Sequence, residues 1–362
     1  MANGDEMARR REAIDRIDDE ILRLLSKRGA EAAEIGRIKV GQGESDAHAY
    51  RPEREAAVLR RMQEGNPGPL PDSAVAAVFR AVMSACLALE RPLRLAYLGP
   101  AGTFSEAAAI KGFGESAQLL PVASIDEAFR EAEAGAADYA IVPVENSTEG
   151  TIGRTLDLLL TTPLSICGEV VLRIHQNLLR KGKSLQGIHR VYSHAQSLAQ
   201  CTQWLAQHLP GAERIPVASN AEAARLAAEH PAACAIAGEL AATRYQLDTV
   251  ASNIEDDPNN TTRFLVVGAH DAGPTGEDKT SFAMSARNRP GAVHELLAPL
   301  AEYGVSMSKL ESRPSKAGLW EYFFFVDIEG HRDDPRVAAA LAAVAQRAAT
   351  MKVFGSYPVA PF

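Results

Sequence analysis

From about Asp5 to Val40 the apolar positions Ile14, Ile17, Ile21, Leu24, Ala32 and Ile35 recur every three or four residues, with no proline among them. That is the period of one helix face. It predicts a single helix of about 35 residues, roughly 50 Å long at about 1.5 Å per residue. Gly41 to Ala47 read as a Gly/Ser loop, a second helix runs from Pro52 to Glu64, and Asn66-Pro67-Gly68-Pro69 break it. A third helix spans about Pro71 to Glu90, and Pro92 marks a boundary. A stripe this long is not buried inside a helical segment of about 90 residues. It calls for a partner helix from a second copy of the chain, hence a homodimer or a larger assembly.

Beyond Leu93 the pattern changes to short apolar runs alternating with Ala-rich helices: Leu93–Leu98, Tyr139–Val144, Ile166–Leu172, Val191–Ser193, Cys234–Ala237 and Phe264–Val267. This is an α/β pattern with one or two mainly parallel sheets. An exit through Leu172–Leu179 and a return at Phe264–Val267 suit two lobes flanking a cleft. Gly268 to Asp278 read as a linker. After it, Thr280–Ala286, helix Ala292–Tyr303, Val305–Glu311, Trp320–Asp327, helix Asp334–Ala348 and Met351–Tyr357 give the βαββαβ order of a ferredoxin-like α+β unit.

The chain has 362 residues, 46% of them apolar and 23% charged, as in a soluble globular protein of two or three domains. A net charge of −8 without a basic run argues against nucleic acid. Cys86, Cys167, Cys201 and Cys234 are scattered, which predicts free thiols in a reducing cytoplasm and no metal site. The polar start lacks a signal-peptide core, and no run of about 18 apolar residues is expected to span a membrane.

Arg28 and Lys39 fall on the apolar stripe of the first helix, and eleven residues at about 100° each bring them to nearly the same face. In the third helix Glu90 lies in line with Phe79, Met83 and Cys86. Buried charge is costly unless paired or used. Two readings stay open: internal pairing with Glu55 and Glu90, or a desolvated pocket in which Arg and Lys clamp a small dianion. Arg11 lies about 260° around the helix from Arg28, so it serves the same pocket only from a partner chain. Residues 5–92 resemble the all-helical chorismate mutase family at Arg11, Arg28, Lys39, Arg54, Glu55 and Glu90. The resemblance implies an intertwined dimer that holds chorismate for a Claisen rearrangement. Arg11, Arg28 and Arg54 would clamp carboxylates, Lys39 would reach the ether oxygen, and Glu55 the ring hydroxyl. Glu90 stands where many members carry glutamine, and Cys86 where some carry serine. Glutamate donates to an ether oxygen only when protonated, so mutase activity should fall with rising pH.

Gly99-Pro100-Ala101-Gly102 follows a strand and opens a helix whose first turn carries Thr103, Ser105 and Glu106. Its free N–H groups suit an anion, but Thr103 and Glu106 equally read as a capping box. No GxGxxG fingerprint is present. Glu145-Asn146-Ser147 and Thr262-Arg263-Phe264 border apolar strands, as polar groups at strand ends do in ligand clefts. Gly99–Ala108, Pro143–Gly150, Ser193–Cys201 and Thr262–Val266 resemble prephenate dehydratase, in order, across residues 93–270. The resemblance implies two α/β lobes like a solute-binding protein, no cofactor and no metal, and loss of CO2 and hydroxide from prephenate to give phenylpyruvate. Thr262 would assist the leaving hydroxyl, with Glu145 or a relayed proton sharing the task. Arg263 would anchor a carboxylate or brace its loop; Asn146, Ser147, Thr103 and Ser105 would donate hydrogen bonds, and Phe264 would pack on the ring. His194 is a candidate acid, or a loop histidine that orients a helix start.

The C-terminal unit resembles an amino-acid-binding regulatory (ACT) domain. Gly291-Ala292-Val293 and Glu311-Ser312-Arg313-Pro314 resemble the phenylalanine-binding motifs of dehydratases, implying phenylalanine as feedback effector. The domains expected are thus 1–92, 93–270 and 278–362, a bifunctional mutase–dehydratase with a sensor. Alternatives are a mutase fused to prephenate dehydrogenase, a vestigial mutase, and a non-catalytic aromatic-acid sensor.

Overall fold

The computed structural model describes residues 2–41, 50–286, 289–314 and 322–360. Most of the Gly41–Ala47 loop, and Trp320 at the start of an expected strand, lie outside the described residues. The chain divides into two compact units. One contains Met1–Arg51, Ala57–Leu93 and Phe113–Gln118, the other Pro52–Ala56, Arg94–Gly112 and Leu119–Phe362.

In the first unit helix α1 covers Ala2–Gly41, α2 Pro52–Glu64 (its first turn belongs to the second unit), and α3 Asp72–Glu90. Helices α1 and α3 pack together. Gly36 permits their approach, since a Cβ there would lie 3.1 Å from the Glu90 Cα. Ile14, Ile17, Ile21, Leu24 and Ile35 stay exposed in the single chain, Ile17 by 58%. One expectation is corrected: α3 is long and apolar enough to cross a membrane by length and composition. It nevertheless carries Arg80 and Glu90.

The second unit holds three sheets. The first lobe has β1 Arg94–Leu98, β2 Gln118–Val122, β3 Tyr139–Asn146, β4 Gly150–Thr151 and β5 Ser165–Arg173. The chain crosses to a second lobe with β6 Asn177–Arg180, β7 Arg190–His194, β8 Glu213–Val217, β9 Ala233–Ala237 and β10 Asp248–Ala251. It returns as β11 Thr261–Gly268, so the first sheet runs β2-β1-β3-β11-β5, with β4 beside β3. The second runs β10-β6-β9-β7-β8. Both sheets are mixed, not mainly parallel: the returning β11 is antiparallel to both β3 and β5, and β6 is antiparallel to β9 and β10. A strand that comes back from the other lobe enters from the opposite end, which fixes its direction. The lobes carry helices α4 Phe104–Phe113, α5 Ile125–Glu133, α6 Gly153–Thr161, α7 Ala195–Gln200, α8 Thr202–His208, α9 Asn220–Glu229 and α10 Glu239–Tyr245.

The C-terminal segment folds as β12 Asp278–Ala286, α11 Ala292–Glu302, β13 Met307–Pro314, β14 Tyr322–Glu329, α12 Pro335–Arg347 and β15 Thr350–Pro358, in sheet order β13-β14-β12-β15. One sheet face is covered by the two helices through Phe282, Met284, Leu296, Leu300 and Val344. On the other, Ala283, Phe325, Phe354 and Tyr357 share a buried cluster with Leu156, Leu159, Ile166 and Leu265 of the first lobe. Gly355 lies so close to Ile166 that a side chain there would collide with its carbonyl.

Candidate functional site

Strands β3 and β11 meet in register at Asn146 opposite Thr262 and Glu145 opposite Arg263. The register then slips, so that Phe264 faces Pro143. The residue gained on β3 is a bulge, which turns successive side chains to one face. Val144 and Glu145 therefore lie on the back of the sheet, while Pro143, Asn146, Thr262 and Phe264 line a cavity of about 780 Å³ between the lobes. Among the described residues its wall carries neither lysine nor arginine.

Asn146 organises the base of this cavity. Its Oδ1 accepts from the Thr148 amide and hydroxyl at 3.1 and 2.6 Å and from the Glu149 amide at 3.1 Å. Backbone donors on that oxygen fix which way the amide points. Nδ2 must then donate, and it does so to Thr262 Oγ1 and Asn260 Oδ1, each at 2.8 Å. A hydroxyl that already accepts from an amide turns its own proton elsewhere. For Thr262, buried at the cavity wall, the free direction is the cavity.

A polar ring continues across the lobes. Asn260 Nδ2 donates to Gln200 Oε1 at 3.0 Å, and Gln200 Nε2 to Thr148 Oγ1 at 3.0 Å. Gln176 and Asn220 both donate to Ser197 Oγ, at 3.0 and 2.8 Å. Gln176, Ser197, Gln200, Asn220 and Asn260 were not singled out from the sequence. Ser197 and Gln200 share one side of α7, and Asn260 sits two positions before Thr262. That spacing was the available signal.

Within the glycine turn, Gly102 braces the fold. Gly102 has φ +91°, and a Cβ would lie 3.1 Å from the Tyr245 ring across the cleft. Its N–H donates to the Glu106 carboxylate, which Arg244 of the second lobe also binds. Tyr245 adds a hydrogen bond to the Ala101 carbonyl at 2.9 Å. Burial, with Glu106 nearby, pushes the Tyr97 phenol up to about 12.

The expected donors separate accordingly. Ser105 is buried on the cavity wall. Thr103 is also on the wall; its hydroxyl donates to the Leu98 carbonyl and accepts from the Glu106 amide, which is the capping alternative. Ser147 is off the wall and braces the turn before Thr262, accepting from the Thr261 amide at 2.9 Å. His194 caps α7, its Nδ1 accepting from the Gln196 amide at 3.4 Å, while its ring borders the cavity. Glu145 and Arg263 lie off the cavity, and Arg263 takes the bracing alternative. Strand alternation and the bulge put both behind the cavity wall, where Glu145 pairs with Lys309 and Arg263 with Glu169 and Asp327.

In the helical unit Lys39 Nζ lies 2.7 Å from Glu90 Oε2, and Arg28 reaches the Val82 carbonyl at 3.5 Å. Cys86 is buried on α3, one turn before Glu90. Arg11 and Arg54 are exposed, and Glu55 is half-buried in the first turn of α2. In the C-terminal segment Gly291 adopts φ +79° as it caps α11, followed by Ala292 and the partly exposed Val293. On β13 Ser312 and Pro314 face outward, Glu311 is half-buried, and Arg313 pairs with Asp157 of α6 at 3.3 Å.

The comparisons with known proteins follow this division. The chorismate mutase type II family matches residues 10–91, the prephenate dehydratase family 95–272 and the ACT domain family 280–346. The bifunctional chorismate mutase/prephenate dehydratase of Neisseria gonorrhoeae is 60% identical over 353 residues, 97% of this chain and 96% of that protein. The chain belongs to the bifunctional chorismate mutase/prephenate dehydratase family. A solved prephenate dehydratase from Arthrobacter aurescens, in complex with L-Phe, is 36% identical at TM-score 0.69 over 74% of this chain and 90% of that one. A solved quorum quenching acylase matches at 28% identity and TM-score 0.69, over 74% of this chain and 99% of that one. The much higher identity to the mutase/dehydratase over nearly the whole chain decides between these two likenesses.

Proposed function

We propose that this chain rearranges chorismate to prephenate on its helical segment and converts prephenate to phenylpyruvate in the two-lobed cavity, under feedback from phenylalanine at the C-terminal segment. The observation that carries the reading is the Asn146–Thr262 pair, its hydroxyl oriented by an amide that cannot turn.

The first reaction is a pericyclic rearrangement that needs a held conformer and stabilised charge on the ether oxygen, with no covalent step. Lys39 and Glu90 are the pair for that oxygen, and Arg28 serves a carboxylate. Arg11 belongs to the site of a second copy. The exposed apolar face of α1 supports the dimer, since burying a side chain such as Ile or Leu is worth about 1.5–3 kcal/mol.

In the second reaction the ring carboxylate leaves as CO2, its bonding electrons aromatise the ring, and hydroxide departs from the opposite carbon. Thr262 donates a hydrogen bond to that oxygen as negative charge grows on it. The carboxylates are met by neutral donors, Ser105 and the N–H groups opening α4 and α9, at the positive ends of helix dipoles. A cation on the ring carboxylate would stabilise the charge that the reaction must disperse. A wall without lysine or arginine among the described residues avoids that. Phe264 packs beside the ring. Four buried free thiols fit a reducing cytoplasm.

The test is turnover of prephenate by the purified chain, with and without phenylalanine. Phenylpyruvate formation suppressed by phenylalanine is expected. No product would return the cavity to a binding role.

A further inference from the structure

The back of the β3–β11 pair is held by the C-terminal sheet. Thr262 and Asn146 face the cavity, while their chain neighbours Arg263 and Glu145 point the other way into an ionic cluster. Lys309 of β13 donates to Glu145 Oε2 at 2.8 Å. Arg263 donates to Asp327 of β14 at 2.5 Å, to the Tyr357 hydroxyl of β15 at 2.7 Å and to Glu169 of β5 at 2.7 Å. Lys279 closes the set on Glu169 at 2.9 Å. Glu145, Glu169 and Asp327 thus balance Arg263, Lys279 and Lys309. Glu169 is completely buried and Asp327, Lys309, Arg263 and Lys279 are 11–21% exposed, while the Glu145 carboxylate is 39% exposed. Burial opposes the Arg263 charge, but Tyr357, Asp327 and Glu169 more than offset it, raising its pKa above the ordinary arginine value. A buried cluster of this kind depends on every partner, because removing one leaves a charge without compensation.

Strand β13 also carries the expected phenylalanine motif. Its inward row sends Lys309 to Glu145 and Arg313 to Asp157, both in the first lobe. Its outward row leaves Ser312 and Pro314 exposed. A ligand gripping the outward row therefore pulls on a strand rooted one residue away from the groups that handle the leaving hydroxyl.

We infer that Lys309, through its ion pair with Glu145, is a positioning residue for the dehydration, and that phenylalanine inhibits by loosening this pair and misaligning Asn146 and Thr262. The inference rests on the feedback reading above. It assigns Glu145 and Arg263 to alignment and not to substrate contact. It also names the contact through which the sensor and the dehydration site would be coupled.

The test is Lys309→Met in the full-length chain, with Lys309→Arg as the charge-keeping control and Lys309→Gln as a second neutral variant should the methionine form fold poorly. Dehydratase kcat and KM, the mutase rate, and phenylalanine binding by equilibrium dialysis are measured on each. Removing the charge is expected to lower dehydratase kcat by about tenfold with KM within about threefold, the signature of misplacement. Phenylalanine should still bind within about threefold of wild type yet change the remaining rate by less than about twofold, while Lys309→Arg keeps the response. Full inhibition of Lys309→Met at wild-type kcat overturns the inference. Failure of the wild-type chain to bind phenylalanine overturns the feedback reading itself, and is seen separately in the dialysis.

Discussion

Replacing Thr262 by valine keeps the shape of the side chain and removes only the hydroxyl that the cavity geometry turns toward substrate. The fold should tolerate it. Asn146 Nδ2 loses one acceptor but keeps Asn260 Oδ1 at 2.8 Å, so the stability cost is that of one hydrogen bond, about 1 kcal/mol. The chemical cost is larger. Removing a fixed donor from an oxygen that gains negative charge in the transition state lowers kcat by about 10²–10³, or about 2.7–4 kcal/mol. Because the donor acts mainly on developing charge, KM for prephenate should stay within about threefold. The assay is phenylpyruvate formation from prephenate, with chorismate consumption by the same preparation as a control for intact protein. Thr262→Ser, which restores the hydroxyl, should recover most of the rate. A Thr262→Val variant with kcat within about threefold of wild type would refute the role given to this side chain.

Three further outcomes follow from the helical segment and the buried thiols. Chains carrying Arg11→Ala and Lys39→Ala, each inactive as mutase alone, should regain about a quarter of wild-type activity when unfolded together and refolded, because half of the mixed dimers' sites are then intact; no recovery would place Arg11 in its own chain's site or in none. Glu90→Gln, which keeps the side chain's shape and a donor toward the ether oxygen, should retain mutase turnover, while Glu90→Ala, which also strips Lys39 of its 2.7 Å partner, should lower kcat/KM by about tenfold or more. An alanine variant at the wild-type rate removes Glu90 from that role. Burial pushes the Cys234 thiol up to about 12 and raises Cys167 and Cys201 further, so at pH 8 the folded chain should leave all three unmodified by a thiol reagent that labels them after denaturation.

Periodicity was a good guide wherever an element buries one continuous face. The bounds of α2 and α3, the core strands β3, β5, β9 and β11, and the βαββαβ order of the C-terminal segment could all be read from apolar spacing. The strands that escaped are of another kind. Strands β2, β8 and β10 lie at sheet edges, where none of their residues is fully buried and Pro121 or Pro216 is tolerated. Strand β6 has only four residues, too few to show a period. The direction of β11 depends on the path through the second lobe, which no local pattern encodes.

The site was legible as a set of segments and not as a set of faces. Thr262, Arg263 and Phe264 were read together, although period-two alternation alone turns Arg263 away from its neighbours. The case of Glu145 was harder, because only the bulge at Val144 explains why it and not Asn146 lies behind the wall. The amides of Gln176, Gln200 and Asn260 acquire meaning only when three distant segments meet, so their importance is a property of tertiary structure.

The central claim is that one chain performs both reactions in sequence. Its most direct test is a time course of the purified chain given chorismate alone, with chorismate, prephenate and phenylpyruvate resolved by chromatography. The account predicts that chorismate disappears, prephenate rises and falls, and phenylpyruvate is the end product. Chorismate left unchanged, or prephenate accumulating as the final product, would contradict it.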